Sequence, residues 1–317
     1  MRQIGRRSGA WGALAAAVVA AGGGANAQTW PGQPPMAPET QAALAKLKAG
    51  DASELRRLAD GGSVDAQYYL GNLLVVGVPA VPKDGAKGCA MLAQVAKVRA
   101  DAQHLVGECY QYGYGGEKDP EKALAAFHKA GDMGFPKSRC AEGNVLFALG
   151  RDEARGLALC LEGARAGDPD AQADVGNFYV QGKHVAKDTA LARAWYEMAV
   201  SGGRQRNAAF TLGQIYWFGE AVPRTPAKAA FYWKIAYDGG RADAAILLGD
   251  EAFVRAFPDA GPGKPVTTGQ TRVVPAAMKE AINWYEKARA GGARRDDLDN
   301  RIKVLDQLLA KLPADQR

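Results

Sequence analysis

Residues 171–199 read AQADVGNFYVQGKHVAKDTALARAWYEMA, and this stretch decides the fold. Its first part carries apolar residues at helical spacing and ends at Gly182, a residue type that closes helices because it accepts positive φ. Its second part follows Asp188, a favourable N-cap residue, and shows helical spacing through Trp195 and Ala199. The stretch therefore predicts two short helices joined by a turn.

The same pattern recurs along the chain. Six strings of the AQADVG type each end in a glycine, and successive glycines lie 36, 36, 33, 37 and 36 residues apart, at Gly71, Gly107, Gly143, Gly176, Gly213 and Gly249. A second signature follows, as WYEMA, FYWKIA and WYEKA around Trp195, Trp233 and Trp284, and more weakly as AAFHKA near Phe127. Two short amphipathic helices cannot bury their apolar faces alone, so each pair must stack on the next. The predicted fold is an α-solenoid.

This pattern resembles the Sel1-like repeat family, which is related to tetratricopeptide repeats. The resemblance rests on the period of about 36 residues, the A-x-x-x-L-G string, the aromatic residue three positions later and the W-Y-x-K-A string, and it covers roughly residues 64–292. It implies an all-α, right-handed α-solenoid of about six helix-turn-helix repeats. It also implies adaptor and regulatory roles in assembling complexes, including envelope signalling and polysaccharide export.

The first 27 residues have the features of a secretory signal peptide. Basic Arg2, Arg6 and Arg7 precede an apolar run at 10–21, and Ala25-Asn26-Ala27 predicts cleavage after Ala27. The run is too short to span a bilayer, which disfavours a membrane anchor, and both the Sec and the twin-arginine export routes remain open. We expect a periplasmic or secreted protein. Cleavage lowers the net charge from +6 to +3, which is too mild to indicate a nucleic-acid partner.

The remaining segments are assigned by composition and spacing. Residues 28–38 are a Pro-rich flexible leader, residues 39–63 a degenerate N-terminal helical unit, and residues 293–317 a C-terminal capping helix and tail. The capping helix is predicted from apolar residues at steps of 4, 3, 4 and 3, namely Leu298, Ile302, Leu305, Leu309 and Leu312. An insert at about 257–275 is either a tolerated surface insertion or a binding loop.

Four cysteines in an exported chain suggest disulfide bonds. Cys89 and Cys109 lie ten residues either side of a turn near Arg99, and Cys140 and Cys160 likewise flank a turn near Gly150. Residues equidistant from the turn of an antiparallel helix pair lie at the same height, so we predict bonds between Cys89 and Cys109 and between Cys140 and Cys160. The alternative is four buried free thiols. Cys160 also takes the position that Trp195, Tyr232 and Trp284 hold in other repeats.

The sequence contains no recognisable catalytic constellation. The three histidines, His104, His128 and His184, do not form a metal-binding string, and nucleophile elbows and phosphate-binding loops are absent from the sequence. We therefore expect no enzyme activity, no metal and no cofactor.

Aromatic residues are the candidate binding residues. Tyr110, Tyr179 and Tyr216 each follow a repeat glycine by three positions and would align along the solenoid; packing between repeats is the competing explanation. We expect a scaffold or adaptor of the cell envelope whose concave surface, aided by the 257–275 loop, binds a protein or an extended peptide. The alternatives are an enzyme acting on cell-wall or β-lactam-like substrates, and a glycan-binding module.

Overall fold

The computed structural model describes residues 35–203, 205–259 and 272–313. These residues form fifteen α-helices and no β-strand, which confirms the all-α solenoid class. The chain divides into two compact units, residues 1–171 and 172–317. The predicted signal peptide and most of the predicted leader lie outside the described residues, and the described chain is already helical from Pro38, the last residue assigned to the leader.

The helices follow one another with short turns between them. In the first unit they are α1 (Pro38–Lys48), α2 (Ser53–Asp60), α3 (Val64–Val76), α4 (Gly85–Val95), α5 (Ala100–Tyr112), α6 (Pro120–Asp132), α7 (Lys137–Leu149) and α8 (Glu153–Arg165). Helix α9 (Pro169–Gln181) contains the unit boundary. The second unit continues with α10 (Thr189–Gly203), α11 (Arg206–Phe218), α12 (Pro226–Asp238), α13 (Ala244–Ala256), α14 (Pro275–Ala290) and α15 (Leu298–Lys311).

The helices from α3 to α14 form six repeats of two helices each. Repeat 1 is α3 with α4, repeat 2 is α5 with α6, and the pairing continues to repeat 6, which is α13 with α14. Helices α1 and α2 precede repeat 1, and α15 follows repeat 6. Within a repeat, the two helices pack against each other along their length, as α3 does on α4 and α11 on α12.

Each repeat turns at a glycine and restarts at a capping residue. The first helices of repeats 1 to 5 are followed by glycines with positive φ, namely Gly77, Gly113, Gly150, Gly182 and Gly219. The side chains of four aspartates then accept a hydrogen bond from a backbone N–H three residues later, at Asp84, Asp119, Asp152 and Asp188. In repeat 5 the equivalent residue is Thr225. It makes no capping bond, because its hydroxyl donates to the Pro223 carbonyl at 2.9 Å.

The six repeat glycines lie where a large residue of the second helix packs against the first. These residues are Leu92, Phe127, Tyr196, Trp233 and Tyr285, with Cys160 in repeat 3. A Cβ on Gly176 would lie 2.6 Å from Cε1 of Tyr196, and one on Gly107 would lie 2.5 Å from Cε1 of Phe127. Glycine is therefore needed here for space, since these positions are ordinary helix.

The assignment of Cys160 to the position of Trp195, Tyr232 and Trp284 was wrong by one residue. Counted from the N-cap residue, Cys160 and Tyr196 are both eight positions along their helices, and it is Tyr196 that contacts the repeat glycine. Tyr196 is buried, whereas Trp195 is only half-buried. The adjacent aromatic residues made this register ambiguous in the sequence.

Both disulfide bonds of the structure lie in the first unit. Cys89 bonds to Cys109, which joins the second helix of repeat 1 to the first helix of repeat 2, with a Cα separation of 6.0 Å. Cys140 bonds to Cys160 within repeat 3, with a Cα separation of 3.8 Å. The second approach is closer because α7 and α8 face each other through Gly143 and Gly156, where a Cβ on Gly156 would lie 3.1 Å from the Gly143 carbonyl oxygen.

The second unit ends on the capping helix. On α15, Leu298, Ile302 and Leu305 are buried, while Leu309 and Leu312 are only partly buried. Arg301 reinforces this contact, because its guanidinium lies 3.3 Å from both Asp250 Oδ1 and the Tyr285 hydroxyl.

The two ends of the insert of repeat 6 lie close together, between the end of α13 and the start of α14. The Val274 N–H donates to the Ala256 carbonyl at 2.9 Å, and the Arg272 N–H donates to Asp259 at 3.2 Å. Residues 260–271 of the insert lie outside the described residues.

Candidate functional site: an apolar patch on repeats 4 and 5

Four register positions on the second helix of each repeat face solvent. Counted from the N-cap residue, they are the residue before it and the third, sixth and tenth residues after it, which lie on one face because their steps are four, three and four. In repeats 1 to 3 these positions are all exposed and hold no large apolar residue: Lys83, Lys87, Ala90 and Gln94; Lys118, Lys122, Ala125 and Lys129; Arg151, Arg155, Ala158 and Glu162.

Repeats 4 and 5 differ at the same positions. Helix α10 presents Leu191, Ala194 and Met198, with Leu191 45% and Met198 41% exposed. Helix α12 presents Phe231, which is 60% exposed, and the partly buried Ile235. Repeat 6 has polar residues at these positions. When its second helix is aligned with the others on Tyr285, the third, sixth and tenth positions are Glu280, Asn283 and Lys287. We call Leu191, Ala194, Met198, Phe231 and Ile235 the apolar patch.

The two halves of the apolar patch lie side by side because both helices contact Tyr216. From α10, Glu197 accepts a hydrogen bond from the Tyr216 hydroxyl at 2.8 Å. From α12, the ring of Tyr232 stacks on Tyr216 with centroids 5.6 Å apart, and Phe231 meets Tyr232 edge-on at 5.3 Å. Tyr216 and Tyr232 therefore pack beneath the exposed side chains of the apolar patch and hold α10 and α12 together.

The three tyrosines predicted to contact a partner have different surroundings. Tyr216 is 4% exposed, so the prediction of direct contact is wrong for it, and packing between repeats describes its role. Tyr110 and Tyr179 are half-buried, and their backbone carbonyls accept the N–H groups of Asp119 and Asp188, each at 2.9 Å. Both therefore help to close their turns, and their contact with a partner stays a prediction.

A polar cluster in the first unit has the components of a nucleophilic triad, which the sequence did not reveal. His104 Nδ1 lies 2.9 Å from Ser138 Oγ, and His104 Nε2 lies 3.3 Å from Glu108 Oε1. Ser138 has no exposed surface and His104 is 3% exposed, so a substrate cannot reach the hydroxyl. The cluster joins repeats 2 and 3 instead, because His104 and Glu108 belong to α5 and Ser138 to α7. Only the spatial proximity of residues 34 positions apart could have revealed it.

Charges around this cluster shift its ionisation. Burial alone would raise the pKa of Glu108, but the hydrogen bond and charge of His104, together with the charge of Lys137, lower the pKa below its usual range. The pKa of Lys137 is raised, because the carboxylates of Asp170 and Glu108 outweigh its burial. Lys137 Nζ lies 3.0 Å from Asp170, so the cluster is a compact ion network linking repeats 2 to 4.

The other histidines also have structural contacts. His128 Nδ1 lies 3.2 Å from the buried carboxylate of Glu142, and the His184 ring meets Phe178 edge-on at 5.2 Å. Within the described residues, no group of three or more His, Cys, Asp or Glu side chains is arranged to hold a metal ion. None of the helices described by the structure combines the length and hydropathy needed to span a bilayer.

The apolar patch could have been found in the sequence by one further step. Aligning the second helices on their N-cap residues places Leu191 and Met198 at positions that are polar in repeats 1 to 3, and Phe231 at a position that holds alanine there. Alignment on the repeat glycines of the first helices points instead to the tyrosines three positions later, Tyr110, Tyr179 and Tyr216.

Comparison with known proteins identifies the repeat. The Sel1 repeat pattern matches residues 64–96, 100–135, 169–203, 206–240 and 268–292. It omits α7 and α8, whose second helix carries Cys160 in place of an aromatic residue. No curated protein sequence matches the chain.

Solved structures share the fold. A Sel1 repeat protein from Oxalobacter formigenes is 24% identical with a TM-score of 0.59, over 78% of this chain and 97% of that one. A protective antigen with the same type of fold, present in uropathogenic Escherichia coli strains, is 22% identical with a TM-score of 0.51, over 83% of this chain and 60% of that one. These identities support the fold alone, whereas the repeat pattern extends over more than half of the sequence. The chain belongs to the Sel1 repeat family.

Proposed function

We propose that this protein is a non-catalytic scaffold or adaptor of the bacterial cell envelope that binds a partner protein through the apolar patch. Proteins built from Sel1 repeats generally act as protein-interaction scaffolds. The single observation that supports this surface is that repeats 4 and 5 carry large apolar residues at register positions that hold polar residues or alanine in repeats 1 to 3. Folding does not require these large residues, because repeats 1 to 3 form the same helices without them.

The composition of the apolar patch suits a protein partner. Clustered exposed apolar side chains cost free energy in water and mark interaction sites, whereas single ones are ordinary on any surface. Phe and Met are also enriched where proteins bind one another. The remaining strongly exposed apolar residues are Val64, Val98, Tyr112, Phe218 and Val304, and no two of them share a helix face.

The proposed location is the periplasm or the cell exterior. Two disulfide bonds support it, since such bonds persist in oxidising compartments. Sel1 repeat folds are typically non-catalytic, and the burial of Ser138 gives the enzyme alternative no support.

The test is affinity capture of residues 28–317 from native envelope extract. The variant Leu191→Lys/Met198→Gln/Phe231→Ala carries residues that other repeats hold at these positions, so it should fold normally. The matched control Val98→Ser/Val304→Ser removes exposed apolar side chains elsewhere. We expect a stoichiometric partner protein that is retained by wild type and control and lost by the patch variant. Retention of polysaccharide without any protein would favour the glycan-binding alternative and reject the proposal.

A further inference from the structure

One end of the apolar patch carries three positively charged side chains. Lys187 and Arg224 precede the N-cap residues of α10 and α12, and Lys228 lies in the first turn of α12; all three are exposed. Among the described residues, no carboxylate lies within ion-pairing distance of any of them. The equivalent residues of repeats 2 and 3 differ, because Lys122 pairs with Asp119 at 3.0 Å, Arg155 with Glu142 at 2.8 Å and Arg151 with Glu121 at 2.5 Å.

Two of these cations are held in place by aromatic rings instead of by acids. The Arg224 guanidinium lies over Trp217 at 4.6 Å from the ring centroid, and its Nε donates to the Trp217 carbonyl at 3.0 Å. Lys228 Nζ lies over the Tyr216 ring at 5.0 Å. A ring orients a cation without neutralising it, so both charges remain available to a ligand.

The helices add to the positive potential at this end. Helices α10 and α12 both begin here, and a helix N-terminus carries the positive end of the helix dipole. At the other end of α12, Lys234 is paired with Asp238 at 2.5 Å, on the side of Ile235. Among the described residues, the three cations Lys187, Arg224 and Lys228 therefore give the N-terminal end of the apolar patch its positive charge, whereas at the C-terminal end of α12 Arg206 donates to the Gly239 carbonyl at 3.1 Å.

We infer that the partner presents an acidic amphipathic segment to this surface. Its apolar side chains pack on the apolar patch, and its carboxylates lie against Lys187, Arg224 and Lys228. This inference rests on the proposed function and specifies the chemistry of the partner. Charge complementarity of this kind sets the orientation and the rate of association more than the affinity.

The arrangement of cations around the apolar patch suits a protein partner better than a membrane surface. Lipid-binding surfaces place cations around their apolar residues so that all of them meet anionic headgroups. Here Lys187, Arg224 and Lys228 lie together at one end of the apolar patch, and the other end of α12 carries the ion pair of Lys234 with Asp238. A protein segment with acids at one end matches this polarity.

The test is selection of a random peptide library displayed on phage, using the mature protein as bait. We expect the enriched peptides to combine apolar residues with an excess of Asp and Glu, and to lose binding to Leu191→Lys/Met198→Gln/Phe231→Ala. Arg224→Gln/Lys228→Gln should raise the Kd of a selected peptide about tenfold at low salt and less at high salt. Selection against Arg224→Glu/Lys228→Glu should reverse the preference and enrich Lys and Arg.

Other results would contradict the inference, the proposed function or both. Patch-dependent peptides without acidic residues, or a preference that the charge reversal leaves unchanged, would overturn the inference and leave the proposed scaffold function intact. Absence of any patch-dependent peptide would count against both. Patch-dependent sedimentation with vesicles of phosphatidylcholine and phosphatidylglycerol, without peptide enrichment, would replace the protein segment by a membrane surface.

Discussion

A glycine at the centre of each first helix leaves room for a residue of the second helix, which is a large one in every repeat except repeat 3. In repeat 4, Tyr196 lies over Gly176, and its hydroxyl donates to Asn177 Oδ1 at 2.8 Å. In repeat 6, Tyr285 lies over Gly249 and donates to Asp250 at the same distance. The Trp233 indole has no hydroxyl, and its Nε1 donates to the Phe210 carbonyl at 3.2 Å. In repeats 4 and 6 the residue after the glycine therefore accepts the hydroxyl of the tyrosine above it.

Gly176→Ala should destabilise the protein, because the new methyl group would overlap the Tyr196 ring. Overpacking of this kind costs about 1–3 kcal/mol, which exceeds the gain of about 1 kcal/mol from replacing a helical glycine with alanine. Urea unfolding followed by circular dichroism measures the difference. The control is the same substitution in a Tyr196→Leu background, because repeat 1 holds a leucine, Leu92, over its own repeat glycine. A cost of equal size in both backgrounds would refute the steric explanation.

For single residues, the sequence predicted where the repeat glycines and helix pairs lie better than it predicted which side chains contact one another. The spacing of Gly71 to Gly249 located all six helix pairs, because the periodicity is a property of the chain itself. It did not establish that Tyr196 rather than Trp195 meets Gly176, since both residues are aromatic and only helix geometry separates them. It also did not show that Tyr216 is buried, which depends on Glu197 and Tyr232 from two other helices.

Repeat 3 uses a disulfide bond where the other repeats use a large side chain. Cys160 is fully buried over Gly143, with Sγ 3.2 Å from the position a Cβ would take. The general repeat pattern omits α7 and α8, although their helices and turn follow the same design. The sequence predicted the helix pair and its cysteines correctly, because both follow from distance to the turn.

Removing the bond of repeat 3 should cost more than removing the other bond. Both bonds close loops with a sequence separation of 20, so each contributes on the order of 3 kcal/mol through the unfolded chain. Cys140→Ala/Cys160→Ala additionally removes two fully or almost fully buried sulfur atoms, whereas Cys89 is only partly buried, and this difference should add about 1–2 kcal/mol. Cys89→Ala/Cys109→Ala is the matched control, and urea midpoints give the comparison. An equal or smaller loss for the repeat 3 variant would contradict this account.

The ion network that links repeats 2 to 4 predicts that stability decreases in acid. The pKa of Glu108 is lowered in the folded state, so its contribution to stability is fully present above the ordinary glutamate value of about 4.3 and is lost as the pH falls through the lowered pKa. Thermal unfolding between pH 7 and pH 3 should show a smaller decrease in Tm for Glu108→Gln than for wild type. Parallel curves for the two proteins would show that Glu108 does not contribute in this way.

Successive repeats are also joined by polar contacts at the start of their first helices. The position six residues before the repeat glycine holds Asp65, Asp101, Lys137, Asp170, Asn207 and Asp243. Asp65 pairs with Arg99 of the next repeat, Lys137 pairs with Asp170, and Asn207 accepts from Arg241 at 3.1 Å. These contacts repeat with the period of the chain, so stability is shared among neighbours as expected for a stacked array.

For the whole molecule, the sequence was sufficient to predict the fold class but not to predict the apolar patch. Periodicity, glycine turns and aspartate caps all indicate the same architecture, and a stacked array tolerates local exceptions such as repeat 3. The apolar patch is itself a departure from periodicity, and Leu191, Met198 and Phe231 are inconspicuous until the exposed face of each second helix is known. Function in a repeat protein lies in such differences between otherwise equivalent positions.

The most direct measurement is site-specific photocrosslinking in the native envelope at one register position of five repeats. A photoreactive phenylalanine analogue replaces, one at a time, the sixth residue after each N-cap: Ala90, Ala125, Ala158, Ala194 and Phe231. All five positions are exposed, so each variant should fold and each probe is accessible to a partner. We predict a discrete adduct with one partner protein from positions 194 and 231 and none from positions 90, 125 and 158. Adducts of equal yield from all five positions, or from the first three alone, would contradict the assignment of the apolar patch as the docking surface.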